Sequence, residues 1–544
     1  MLTALQIGNF KAFAEAQRIP IRPLTLIYGA NSSGKSSVIH SIVFARHALE
    51  TGDLDIHRTN IGGEAVDLGG FRQYVHRREA NRRLEWSAEL DTAGFKGRLA
   101  ELLAPVRKVA VTLAVGISLD DQDRPLPDAI PEVHAYEVVA DGKSLLRMSK
   151  RRDGKLQLDR LDHEHPVFRE VLKAIVETST TAESIHPSDY EGLDEAITSI
   201  VPEIVTSVGR FLPEGLLRSE SFTPGGQMAF FPVSRGRRRE DLAAAVRFFI
   251  PRTIDELISG IGQVVAEELS RLQYLGPLRS YPPRHLAFAQ QHDPNWFAGG
   301  GYAWDVVRRD TEVRKQVNAW LTAPDRLQTP YELRIRHLLT IDDLDAEYTK
   351  IIEKLEQRFT SDEPYDFDLF GEMYSALETL KEQEAKLTDI QELNLVDRRS
   401  ETIVSHRDVG IGVSQVLPVL VGAYAAKNQI VAIEQPEIHL HPALQADLGD
   451  VFLQSALGEN HNRFLIETHS EHLLLRIMRR MRETSSETLP DDLPEVRPDD
   501  VCVLFVQPKG SSSAVRHLEL DEEGQLLDAW PGGFFEEGYR ERFA

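Results

Sequence analysis

With a single cysteine, Cys502, the chain of 544 residues cannot close an intramolecular disulfide, and cysteine-rich zinc modules are excluded with it. No apolar run reaches the roughly 18 residues a membrane-spanning helix needs. The amino terminus, MLTALQIGNFKAF, lacks the basic-then-apolar layout of a signal peptide and reads as a strand entering a fold. Internal repeats and low-complexity tracts are missing as well. Positive charge is scarce: the formal net charge is -23, so global electrostatics do not favour nucleic acid, and any DNA or RNA contact needs a local basic patch. These absences predict a cytoplasmic protein with no membrane contact. The 42% hydrophobic and 27% charged residues that are present suit a soluble protein with a sizeable core.

The densest chemistry lies early. An apolar run, Leu24, Leu26, Ile27 and Tyr28, stops at Gly29, and the next residues complete G-x-x-x-x-G-K-S. In a strand–loop–helix setting this is a phosphate-cradling loop. Gly29 and Gly34 let the backbone curl so that the N–H groups of Asn31, Ser32, Ser33 and Ser37 surround phosphate oxygens. Lys35 supplies charge between the β- and γ-phosphates, and the Ser36 hydroxyl suits Mg²⁺. The helix predicted at 35–49 adds its positive end through Val38, Ile39, Ile42 and Val43. ATP and Mg²⁺ are the cofactors this predicts.

Along the chain, strands are predicted at 4–10, 24–28, 84–90, 109–117, 133–139 and 501–506, and helices at 167–175 and 242–250. A short basic run, Arg235, Arg237, Arg238 and Arg239, reads as a solvated loop or a phosphate contact. Helical spacing within 342–395, with Ile351, Leu355 and Phe359 on one side and Leu377, Leu380 and Leu387 on another, predicts a short antiparallel arm. It is too short for sustained heptads.

Chemistry returns near the carboxyl end. A buried-strand pattern at 429–433 runs into Glu434-Gln435-Pro436-Glu437, and an acid at a strand tip is where a phosphate-loop ATPase holds Mg²⁺. The strand predicted at 463–467 ends in Thr468-His469-Ser470 and opens a helix at 471–482. Parallel strands present ligands at their carboxyl ends, so Gly29, Glu434 and His469 are expected on one edge. Upstream, Gly410, Gly412, Ser414 and Gln415 precede an apolar helix, with Pro418 read as part of its first turn, and form a second candidate anion site. Arg476, Arg479, Arg480 and Arg482 are read as the wet face of a helix whose dry face is Leu473, Leu474, Ile477 and Met481. A partner or DNA contact is the other reading.

This order of phosphate loop, G-x-G-x-S-Q, EQPEIHLHP and THS resembles the ABC-type ATPase heads of the SMC, RecF and OLD (overcoming lysogenization defect) proteins. The wording EQPEIHLHPALQ, with YLGPLR at 274–279 and WPGGFFEE at 530–537, is similar to stand-alone OLD-like bacterial ATPases without a Toprim nuclease, the Septu phage-defence ATPases among them. The likeness covers roughly residues 1–80 and 270–544. It implies an α/β fold, a mixed sheet flanked by helices, with an inserted α+β region and a short helical arm. The expected layout is 1–100 as the first part of the head, 101–270 inserted, 271–341 back in the head, 342–395 the arm, and 396–544 the last part.

The resemblance also implies roles. Gly410, Gly412 and Ser414 of one protomer would touch the γ-phosphate held by another, giving a homodimer or higher homo-oligomer. Glu434 matches the Walker B acid and His469 the switch histidine, and Gln73 falls near the family's Mg²⁺-contacting glutamine. Where most such heads carry a catalytic acid, this chain has Gln435, which orients water and accepts protons poorly. Glu437, two residues on, is the candidate substitute; without one, hydrolysis is expected to be slow. The leading expectation is a switch ATPase controlling a separate effector nuclease, of HNH type for example, in anti-phage defence. A RecF- or SMC-like ATPase acting on DNA is the alternative, and a scaffold that binds ATP without turnover is a third.

Overall fold

The computed structural model describes residues 1–179, 193–208, 211–216, 238–279, 295–324, 326–338, 349, 352–353, 390–404 and 411–535. The predicted arm falls almost wholly outside them, as do Gly410, Arg235 and Arg237. The described chain adopts the expected α/β class: a mixed sheet flanked by helices, with further strands and helices inserted.

It divides into two compact units. The first, 1–278 with 297–299 and 426–544, holds a six-stranded sheet in the order Leu272–Leu275, Ile430–Glu434, Arg463–Glu467, Leu24–Gly29, Val501–Lys509, Ser512–Leu518. The first five are mutually parallel and the last pairs antiparallel. Strands Ile430–Glu434, Arg463–Glu467 and Leu24–Gly29 are buried at every position, as central parallel strands must be. Register then sets the site. Glu434 lies opposite Glu467, and Glu467 opposite Ile27, so the ends of three strands meet at one edge.

The same unit carries an eight-stranded antiparallel sheet running from Val205–Thr206 to Gln17–Pro20 through Leu84–Asp91 and Leu2–Gly8. Strands Lys108–Gly116, Glu132–Ala140, Lys143–Lys150 and Leu156–Leu161 extend the sheet that the first strand begins, so the backbone ladder crosses position 100 without a break. The helix after the phosphate loop, Lys35–Thr51, touches strands of both sheets and the long helix Arg238–Ser270. Val38, Ile39, Ile42, Val43, Phe44 and Ala45 are all buried, as expected of a helix covered on several sides. Arg463 ties these layers together. Its guanidinium meets Glu268 Oε2 at 2.6 Å and the Leu2 carbonyl at 2.8 Å, while Glu268 accepts the Leu2 N–H at 3.0 Å.

The second unit, 279–296 with 300–425, contains helices Gly301–Arg309, Thr311–Thr322 and Ile411–Tyr424 and the antiparallel strands Tyr331–Leu338, Ile390–Asp397 and Thr402–Val404. Asp310 caps Thr311–Thr322 by accepting the N–H groups of Glu312 and Val313. The apolar helix starts at Ile411, which puts Pro418 in its interior and not in the first turn. Pro418 has no N–H to give the carbonyl four residues back, and the apolar surroundings of a helix this buried offset that loss. Among the described residues no helix is long and apolar enough to cross a membrane.

Candidate functional site

Gly29 closes its strand at φ 147° and Gly34 opens the helix at φ 99°. A Cβ on Gly29 would stand 2.3 Å from the Val506 carbonyl oxygen, and one on Gly34 would stand 2.4 Å from Ala12 Cβ. Both positions therefore require glycine. Between them Ala30, Asn31 and Ser32 are exposed and Ser33 is buried. Lys35 is also buried and turns back on its own loop, donating to the carbonyls of Gly29 (3.1 Å) and Ala30 (2.9 Å). Its amine lies 3.9 Å from Glu467 Oε1. Burial lowers the Lys35 pKa, against the pull of Glu467, Glu437 and Glu434.

Three buried carboxylates thus surround one lysine. Glu434 Oε1 accepts from Tyr274 OH at 2.8 Å and from His40 Nε2 at 3.1 Å. Glu437 Oε1 accepts the His469 backbone N–H at 2.7 Å, so this acid braces the turn that carries His469. Glu467 is hydrogen-bonded to the Ser36 hydroxyl, and burial, seconded by Glu434, pushes its carboxyl up to about 7. Gln435 sits at φ 48° with its N–H on the Glu467 carbonyl, at 2.7 Å, which sets the direction in which the loop leaves its strand. Burial, with Lys35 nearby, lowers the His469 imidazole and keeps it neutral. The Ser470 hydroxyl caps the following helix through the Leu473 N–H.

Do these residues fit a phosphate ligand and its metal? Ser33 Oγ, Glu467 Oε2 and His469 Nε2 are buried with no hydrogen-bond partner, and an unpaired buried polar atom costs on the order of 1–3 kcal/mol. Three acids against one lysine leave surplus negative charge, which a divalent cation neutralises. The donor set is oxygen-only, Ser36 and Glu434 with Glu467 beside them, and that matches Mg²⁺. The fit holds.

Other expected residues lie elsewhere. Gln73, on the one-turn helix Phe71–Tyr74, lines an open cavity of about 600 Å³ with Lys11, Asp67, Arg77 and Arg78. Lys11, on the wall of the same cavity, bonds His40, which in turn bonds Glu434. Gly412, Ser414 and Gln415 belong to the second unit. There Ser414 and Gln415 are buried, and Gln415 donates to the Arg279 carbonyl at 3.0 Å. Two arginines read as a wet helix face are not wet. Arg480 is buried and grips Asp450 through two nitrogens, and Arg476 bonds Asp450 and Asp447, because the neighbouring helix Pro442–Leu457 presents those acids. Arg479 is exposed and pairs with Glu483. Sequence reasoning missed Glu467, His40, Tyr274 and Lys11. Only Glu467 had a local signal, an acid at a strand tip.

Residues 310–474 match the family described as AAA ATPase domain, and residues 496–541 match one described as Protein of unknown function (DUF3696). No curated protein matches the chain. Among solved structures it is similar to an Smc head bound to the C-winged helix domain of ScpA, at 11% identity and TM-score 0.37, over 95% of this chain and 98% of that one. It is similar too to the Smc head with an extended coiled coil from Pyrococcus furiosus, at 12% identity and TM-score 0.35, over 95% and 96%. A head with coiled coil and joint from Pyrococcus yayanosii gives 12% identity and TM-score 0.37, over 96% and 98%. The ATPase-family match begins beyond the phosphate loop and takes in Glu434 and Glu467; the chain carries an AAA-type ATPase domain.

Proposed function

We propose that this chain is a slow, dimerising switch ATPase that binds Mg²⁺-ATP at the carboxyl edge of its parallel sheet. One observation carries the reading: the glycine-built loop, Lys35, the strand-end acids Glu434 and Glu467 and the turn acid Glu437 converge, and Ser33 Oγ, Glu467 Oε2 and His469 Nε2 are left without partners. The N–H groups from Asn31 to Ser37 would hold the phosphates, and Lys35 would exchange its loop carbonyls for phosphate oxygens. Ser36 and Glu434 would hold Mg²⁺, and Gln73, on the wall of a separate cavity, stands outside that contact. Bound there, Mg²⁺ supplies charge neutralisation to the phosphates and the acid cluster.

The proton from the attacking water needs an acceptor. The Gln435 amide orients water and cannot take that proton. Glu437 was the candidate substitute, but one of its oxygens is committed to the His469 N–H. Glu467, which likewise has one oxygen engaged, by Ser36, is better suited because burial brings its carboxyl near neutrality. His469 Nε2 would sense the γ-phosphate. Gly410, Gly412, Ser414 and Gln415 would serve the site of a second copy.

In this reading the ATP-bound dimer gates a separate effector nuclease in defence against phage. Action on DNA itself is the second reading, and the basic wall formed by Lys11, Arg77 and Arg78 favours it in an otherwise acidic chain. The test is equilibrium binding of ATP with Mg²⁺. Lys35→Ala should weaken it about 100-fold, the loss of a charge-assisted contact and its positioning. Unchanged affinity would reject the site. DNA cleavage by the pure chain would reject the separate effector and leave the ATP site standing.

A further inference from the structure

His40 lies on the phosphate-loop helix, is buried, and its ring reaches the acid that ends the strand Ile430–Glu434. Its Nε2 is 3.1 Å from Glu434 Oε1, the same oxygen that accepts Tyr274 OH at 2.8 Å. Its other nitrogen, Nδ1, is 2.8 Å from Lys11 Nζ. Lys11 is not a loose surface lysine. Its N–H donates to the Tyr74 carbonyl at 2.7 Å, and its own carbonyl oxygen is 2.9 Å from His76 Nδ1, in a turn at φ 44°. An ammonium can only donate, so Nδ1 must be the bare nitrogen and the ring proton must sit on Nε2, aimed at Glu434.

We propose that His40 is a positioning residue for the metal-holding acid: with Tyr274 it pins Oε1 of Glu434, and Lys11 sets its tautomer. The inference rests on the reading of Glu434 as a Mg²⁺ holder and extends it. A carboxylate with one oxygen fixed by two donors keeps its other oxygen in one direction, and a small octahedral cation tolerates little error in direction. Four elements contribute: the turn after the first strand, the phosphate-loop helix, and the strands Leu272–Leu275 and Ile430–Glu434.

The experiment is binding of a fluorescent ATP analogue to the full chain, titrated with Mg²⁺ and repeated in EDTA. Loss of a partner that orients a metal-binding side chain typically costs about 10- to 100-fold in metal affinity. His40→Leu should therefore raise the Mg²⁺ midpoint by about tenfold or more while affinity in EDTA stays within about twofold of wild type. His40→Gln, whose amide can place an N–H near the same oxygen, should recover most of that loss. Lys11→Met, which frees the tautomer, should raise the midpoint by about threefold, a fraction of the full loss. An unmoved midpoint in both His40→Leu and Lys11→Met overturns the proposal, and so does an equal loss of affinity in EDTA, which marks a merely structural histidine. Should His40→Leu fail to fold, Lys11→Met and Tyr274→Phe decide the matter in the same titration. Glu434→Gln separates the two readings. If it leaves the midpoint unmoved, the metal reading falls; if it shifts the midpoint and His40→Leu does not, only the role of His40 falls.

Discussion

Glu467 shows how much one residue can reveal about its surroundings. Its carboxyl stands near 7, raised from 4.5 first by burial and then by Glu434. The folded chain therefore keeps a proton that the unfolded chain releases between those values. Stability falls as pH climbs through that window, and the whole cost stands above about 7. Glu467→Gln removes it: thermal melting of the nucleotide-free protein should rise at pH 8 by the equivalent of about 1–3 kcal/mol, with little change at pH 5. ATP turnover of the same variant should drop by at least about 100-fold, the usual contribution of a proton acceptor. Equal melting at both pH values would contradict the burial argument, and undiminished turnover would return the base to Glu437. At this scale the sequence was legible where chemistry is local. The phosphate loop announces itself, and so does Glu434 behind an apolar strand. The rule that found Glu434 applies equally to Glu467 and was eclipsed by the Thr-His-Ser beside it. His40 could not have been read, because its partner lies 394 positions away and no local pattern points to it.

Element by element, alternation and apolar runs located strands well. The strand at 463–467 has the bounds its sequence suggested, and 24–28, 84–90 and 133–139 differ from the structure only at their ends. Proline misled at Pro418, which argued for a later start to a helix that begins at Ile411. The helix read at 242–250 is part of the longer Arg238–Ser270, which runs through Pro251. Tertiary packing overrides a single missing hydrogen bond when the helix is covered by apolar neighbours. The arginine face of Glu471–Ser485 was misread for a related reason, since the acids that bury Arg480 come from another helix. Buried ion pairs of this kind give an element-level prediction. Arg463 and Glu268 are both buried and join the first strand, the long helix and a central strand. Arg463→Leu strands a buried carboxylate and should cost about 3–5 kcal/mol in urea unfolding. Adding Glu268→Leu should restore a large part of that, because the second change removes the uncompensated charge. A single variant with the wild-type urea midpoint would show that the pair does not hold these layers.

At the scale of the whole molecule, the loop and acids of the candidate site belong to one unit, and Gly412, Ser414 and Gln415 belong to the other. Ser414 and Gln415 are buried, so the residue suited to probing a shared site is Gly412, which is half-buried in the first turn of its helix. Gly412→Glu places a carboxylate where a phosphate would meet the helix end, and like charges repel there. Lys35→Ala and Gly412→Glu should each abolish ATP turnover alone. If two copies complete each other's sites, an equimolar mixture should recover about a quarter of wild-type turnover, since random pairing makes half the dimers mixed and each mixed dimer keeps one of two sites. No recovery would mean that each copy works alone. Salt distinguishes this association from binding to DNA. Two chains of net charge -23 repel, so screening should tighten the ATP-bound dimer as salt rises from about 50 to 200 mM. A contact made through Arg77 and Arg78 to DNA phosphates should weaken over the same range. Sedimentation of the ATP-bound chain at both salt concentrations, with and without duplex DNA, therefore reads self-association and DNA binding as changes of opposite sign.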